Sequence, residues 1–197
     1  MVAGHFGLAA GVKAWSPRLP LWALMLSTFW LDVIFIILYA MGIESLTQVD
    51  PAHPHYGGAL IHAYYTHSLV GALLIAAVTG WLASWLWGQR RGMVIAAVVV
   101  SHWILDLLVH RPDLPILPGN AGNLPLLGFG LWEFPVVSAI LELALVLGGA
   151  YLYYRSAMQL PIPADSNQSR HRRQVLTASI VTAGLLLLLL LTDVLGL

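Results

Sequence analysis

The feature that most constrains this chain is a succession of apolar runs, each near the ~20 residues that a helix needs to cross a bilayer. They read Leu21 to Ile43, about Ala59 to Trp87, Met93 to Val109, Leu131 to Tyr154 and Val175 to Leu195. The sequence therefore predicts a single integral membrane domain over residues 1–197, an all-α, polytopic bundle of about five transmembrane helices. A content of 59% hydrophobic and only 9% charged residues, with mean hydropathy +0.81, supports that class over a soluble fold. One further stretch, VAGHFGLAAGVKAW from Val2 to Trp15, is apolar but too short to cross, and is expected to be a re-entrant or an interfacial helix.

Cations are distributed unevenly between the connecting segments. Lys13 with Arg18, Arg90 with Arg91, and Arg155 with Arg170, Arg172 and Arg173 fall in alternate loops, while Arg111 stands alone in the others. By the positive-inside rule this puts the amino terminus in the cytoplasm and the carboxyl terminus outside. The formal net charge is zero, so no basic surface points to nucleic acid as a partner. Cysteine is absent, which excludes thiolate catalysis, disulfides and cysteine-based zinc sites; a bound metal would rest on histidine and carboxylate. Met1 to Phe6 lack the positive start of a signal peptide, and the chain is expected to stay intact.

Eight histidines nearly match the nine acids in number, and several sit where lipid should be. Ionisable groups inside a membrane are costly, and by default they mark function. In SHWILDLLVH, His102, Asp106 and His110 fall at i, i+4 and i+8, one stripe along one helix face, so His102 and Asp106 can hold one ion together. Helical rise places Asp32 ~18 Å, His102 ~16 Å and Asp106 ~22 Å above the inner boundary, with His67 ~21 Å up if Trp81 and Trp85 mark the inner aromatic belt. A re-entrant helix rising from Lys13 would carry His5 ~12 Å up, within approach of Asp32. His62 and His67 are five apart and diverge by about 140° on an ideal helix, so a break is needed for both to serve one site. One of the two is expected to support from the loop or from behind the ligands.

Glu142, in SAILELALVL at mid-membrane, is a candidate general base or additional ligand; Glu133 lies nearer the outer end of the same run and is expected to be structural. His53 and His55, in the outer loop DPAHPHYGG, are expected to be solvated.

Taken together, the amino-terminal Gly4-His5, the helix-borne Asp32, HAYYTHS (His62 to Ser68) and SHWILD (Ser101 to Asp106) resemble the YdjM-like membrane-bound metal-dependent hydrolases over the stretch from His5 to about Pro118. That family is held to be distantly related to zinc-dependent phospholipases C. The resemblance implies a metal-site set of His5, Asp32, His62, His67, His102 and Asp106. Two positions depart from the family pattern. Asp-x-Asp is replaced by Asp32, Val33 and Ile34, and His-Arg-Gly by His62, Ala63 and Tyr64, which removes one carboxylate and one phosphate-clamping cation.

The expected protein is thus a membrane hydrolase of the bacterial inner membrane. His5, Asp32, His67, His102 and Asp106 would hold a divalent metal, zinc by donor type, with Glu142 and His62 as catalytic groups. Its expected partners are membrane lipids, and its substrate an ester or phosphoester of a lipid or membrane-adjacent molecule. A transporter using the same groups as an ion or proton relay, and an inactive scaffold in which they only bond between helices, are the competing expectations.

Overall fold

The computed structural model describes residues 1–49, 57–159 and 168–195. Its elements run α1 (Val2–Trp15), α2 (Leu21–Thr28), α3 (Trp30–Ala40), β1 (Ser45–Gln48), β2 (Ala59–His62), α4 (Leu69–Trp87), α5 (Gln89–Val109), α6 (Pro135–Gln159) and α7 (Gln168–Leu195). Helices Leu69–Trp87, Gln89–Val109, Pro135–Gln159 and the Arg172–Leu195 part of α7 are long and apolar enough to cross a membrane; the pair α2 and α3 makes a fifth when counted as one span. Large apolar side chains such as Leu74, Val78, Leu86, Ile140, Leu188 and Leu191 lie exposed on these helices, as lipid contact requires.

α5 is the central helix, with half of its most apolar window buried against 17% for that of α7. It pairs with α4 through a one-residue turn at Gly88, whose φ of +87° is a backbone conformation that side chains with a Cβ rarely adopt. The wide burial of α5 brings His102 and Asp106 to the middle of the bundle rather than to its surface.

The amino-terminal stretch is a half-length helix within the bundle, not an interfacial one. At 14 residues it is about 21 Å long, short of the ~30 Å hydrocarbon core. Ala3, Gly4, His5, Gly7, Ala9, Ala10 and Gly11 are all buried. α1 runs parallel to α6: the Gly4 N–H donates to Glu142 Oε1 at 3.0 Å near one end, and Ser156 Oγ to the Ala14 carbonyl at 3.2 Å near the other. Small residues let the two backbones nearly touch, since a Cβ at Gly7 would lie 2.6 Å from the Leu145 carbonyl oxygen.

Two expected spans differ in detail. The first bends by 51° at Phe29, between α2 and α3, without the proline or glycine that would announce a kink. The second is helical only from Leu69. Ala59–His62 instead pairs antiparallel with Ser45–Gln48, His62 opposite Ser45. The chain then turns tightly, and Ser68 caps α4 by accepting from the Gly71 N–H at 3.1 Å. A break does separate His62, at the end of β2, from His67, in the turn ahead of α4. The bundle's other end carries Lys13, Arg18, Arg90 and Arg91 at the α1–α2 and α4–α5 junctions, together with the Arg155 end of α6.

Because the α1–α6 contact has no room for a side chain, Gly7→Leu is expected to push α1 outward. Thermal unfolding in detergent should show a loss of about 1–3 kcal/mol or more, and metal content measured on the same sample should fall as His5 leaves the centre.

Candidate metal centre

Four segments deliver ionisable side chains to one point. α5 supplies His102 and Asp106 one turn apart, and His110 follows as its C-terminal cap residue. Asp32 comes from the first turn of α3, His5 from α1, and His67 from the turn ahead of α4. All except Asp32 are nearly inaccessible.

Their contacting atoms lie close together. His67 Nε2 is 3.2 Å from His102 Nε2, 3.3 Å from Asp32 Oδ1 and 3.5 Å from Asp106 Oδ2. His102 Nε2 is 2.9 Å from Asp106 Oδ2 and 3.5 Å from Asp32 Oδ1. His5 Nε2 lies 3.1 Å from Asp106 Oδ1, and His110 Nε2 3.8 Å from Asp106 Oδ2. A tetrahedral ion with bonds near 2.0–2.1 Å sets its donor atoms about 3.3 Å apart. The triangles His67–His102–Asp32 and His67–His102–Asp106 have edges of that length.

Tautomers sharpen the point. The His102 Nδ1–H donates to the Thr28 carbonyl at 2.6 Å, which accepts only. Thr66 Oγ1 gives its proton to Glu44 Oε2 at 2.8 Å, so the 2.9 Å contact with His67 Nδ1 has the ring donating. His110 Nδ1 donates to Asp113 Oδ1 at 2.8 Å. Each of these three rings, when neutral, therefore turns an Nε2 lone pair toward the centre, where only other lone pairs meet it. A cation, or extra protons on the rings, must balance them. Histidine metal ligands are held by the same arrangement, the far nitrogen donating to a carbonyl or carboxylate.

His5 completes the argument differently. It stacks on His102 with ring centroids 3.9 Å apart, and its buried Nδ1 has no hydrogen-bond partner among the described residues. If Nε2–H donates to Asp106, the Nδ1 lone pair is bare; if the proton sits on Nδ1, two lone pairs face each other across 3.1 Å. Neither neutral tautomer satisfies the ring. The donor set thus fits a metal ion, and among the described residues the His/Asp groups His5–His102–Asp106 and Asp32–His67–His102 are close enough to hold it.

The structure brings His5, Asp32, His67, His102 and Asp106 together. It does not bring in Glu142, whose carboxylate accepts from the Gly4 N–H in the first turn of α1, where a negative charge suits the helix dipole. Nor does it bring in His62, which sits on the hairpin with Nε2 3.3 Å from Thr47 Oγ1 and Nδ1 3.4 Å from the Tyr64 hydroxyl. Glu133 is at the rim, 3.8 Å from Arg111 Nε. His53 and His55 lie outside the described residues.

Three participants were not singled out from sequence as part of the site. His110 is the last member of the α5 stripe, and Asp113 holds it while accepting the Ile61 N–H at 2.9 Å, which ties the hairpin to the centre. Glu44 carries no periodic signal at all. It is 2% exposed and accepts from the Tyr65 and Thr66 N–H groups and the Thr66 hydroxyl, fixing the turn that aims His67. Access is past Asp32, whose side chain is 24% exposed against 5% or less for the others.

No known protein-family profile matches the chain, and neither a curated protein nor a solved structure matches it.

Glu44→Gln removes the charge that holds the Thr66 hydroxyl without removing a metal donor. Its metal affinity, read by chelator competition, should drop about 10–100-fold, with His67 remaining in place.

Proposed function

We propose that this chain is a membrane-embedded metal-dependent hydrolase acting on an ester or phosphoester of a lipid or membrane-adjacent molecule. The observation that carries the reading is the meeting of the His67 and His102 Nε2 atoms, 3.2 Å apart and between two carboxylates, with both Nδ1 protons committed elsewhere. The resemblance of the Gly-His, THS and SHxxxD segments to YdjM-like hydrolases points to the same chemistry.

A divalent ion, zinc by its imidazole and carboxylate donors, supplies Lewis acidity and a water acidified toward neutral pH. The chain's own groups do the rest. Asp106 sets Oδ1 beside the His5 ring and Oδ2 beside the His102 Nε2 lone pair, so a bound ion shared with His102 would hold the cluster. Asp32, the carboxylate on the open side, faces the arriving substrate and is placed to take the proton released as water adds to the ester. That proton then passes to the departing alcohol oxygen, so that ester and water become acid and alcohol. Phe35, edge-on to His67 at 6.0 Å, walls the access side with apolar surface suited to a lipid. The cation-rich end is assigned to the cytoplasm of the bacterial inner membrane, with the carboxyl terminus outside, from the loop charges.

The test is elemental analysis of the purified protein together with hydrolysis of a short-chain phospholipid. Stoichiometric metal should be found in the wild type and lost in His102→Ala and Asp106→Ala, with hydrolysis falling to background in both and returning to the chelated wild type on addition of zinc. A wild type that never holds metal, or variants that keep it in full, would sink the reading. Substrate uptake into proteoliposomes without hydrolysis would point to a transporter.

A further inference from the structure

At the cation-rich end, far along α5 from the metal centre, two cavities meet. One, of about 750 Å³, is lined by Arg18, Arg90, Arg91 and Trp87 among others. The other, of about 590 Å³, runs between α1, α5 and α6 past Gly11, Val98, Gly148 and Leu152. Trp15, Ser16 and Val94 line both, so the two form one continuous cleft. Its apolar limb follows α5 from Val94 to Ser101, about 10 Å by helical rise. Both volumes lie in the range of small-molecule sites.

The chemistry changes along the cleft. The first limb holds three guanidinium groups, and among the described residues no Asp or Glu lines either limb. Arg91 is oriented by a hydrogen bond from Nη1 to the Trp87 carbonyl at 3.1 Å, while Arg18 and Arg90 are exposed. The second limb is lined almost wholly by apolar and small residues, and a Cβ added at Gly148 would meet nothing within 4 Å. Trp15, which lines both limbs, is 82% exposed, and Trp22, 63% exposed, packs edge-on against Trp87 with ring centroids 6.0 Å apart, the placement of residues at a membrane–water boundary.

We propose that this cleft binds an anionic phospholipid, its headgroup phosphate among Arg18, Arg90 and Arg91 and one acyl chain along the α1–α5–α6 limb. A phospholipid is the molecule whose charge and oil follow in that order at a bilayer boundary, and arginine forks suit a phosphate. A second copy of this chain would fill the apolar limb but would leave three arginines facing one another without a counter-charge. No side chain of the metal centre lines either limb, and the proposal does not depend on hydrolysis.

The full chain in detergent is titrated with dioleoylphosphatidylglycerol, dioleoylphosphatidylcholine and inorganic phosphate, read by native mass spectrometry and melting temperature. Phosphatidylglycerol should bind with preference over phosphatidylcholine and raise the melting temperature, and inorganic phosphate should do neither. R18Q/R90Q/R91Q should weaken phosphatidylglycerol at least about tenfold and erase the preference. Gly148→Phe should lose the bound lipid while melting like the lipid-free wild type; Ala97→Phe, on the exposed wall of the same limb, tests the point again if the first variant folds poorly. Equal binding of the two lipids, stabilisation by inorganic phosphate alone, undiminished lipid binding in both blocked variants, or a lipid-independent dimer that Gly148→Phe disperses would each overturn the proposal.

Discussion

The fold depends on one constraint: polar groups held away from water must find partners inside the bundle. An unpaired buried donor or acceptor costs about 1–3 kcal/mol, and an unpaired charge considerably more. Here four imidazoles and two carboxylates from separate segments are gathered at one place, and three of the imidazoles are also tied to the elements behind them. His102 is bonded to the bend at Thr28, His67 to the turn through Thr66, and His110 to the hairpin through Asp113. The polar centre thereby fixes how α1, α3, α5 and the hairpin sit relative to one another. Lipid-like packing alone would leave that arrangement weakly specified, because hydrocarbon offers no hydrophobic preference for one helix neighbour over another.

α1 shows how the constraint shapes an element. A helix too short to span must end inside the bundle, with the N–H groups of its first turn deprived of water. Glu142 meets that need by accepting from Gly4, and so places a carboxylate at the positive end of the helix. The same burial brings His5, one residue further along, against His102 and Asp106. The burial of Glu142 and that of His5 are two consequences of one structural choice, a short helix that begins inside the bundle.

Much of this was legible in the sequence, and the rest was hidden for identifiable reasons. The apolar runs announced the spanning helices because length and hydropathy are sums over many residues. His102 and Asp106 were readable as a pair because i, i+4 spacing on a helix determines a shared face. The bend at Phe29 left no mark, since it arises where Thr28 turns its carbonyl to His102 and its hydroxyl to the His5 carbonyl, contacts to residues distant in sequence. The hairpin was absorbed into an apolar run because Ala59, Leu60 and Ile61 suit a helix as well as a strand. Glu44 was invisible for the same reason as the bend: its partners are backbone N–H groups twenty-one and twenty-two residues away, which have no side-chain signature.

The donor inventory also bears on how many ions the centre can take. His102 belongs to both metal-capable groups, yet its Nε2 carries one lone pair, so the two groups are not two complete sites. A first ion taking His67, His102 and one or both carboxylates leaves His5 and His110 on Asp106, the one carboxylate that reaches both sides through separate oxygens. A second ion on His5 would have only Asp106 Oδ1 beside it, because His110 Nε2 lies against Oδ2, the oxygen that also faces His102. Val33 and Ile34, which follow Asp32, are apolar and add no donor. The arithmetic of lone pairs therefore favours one fully held ion, with Asp106 as the hinge on which any second would depend.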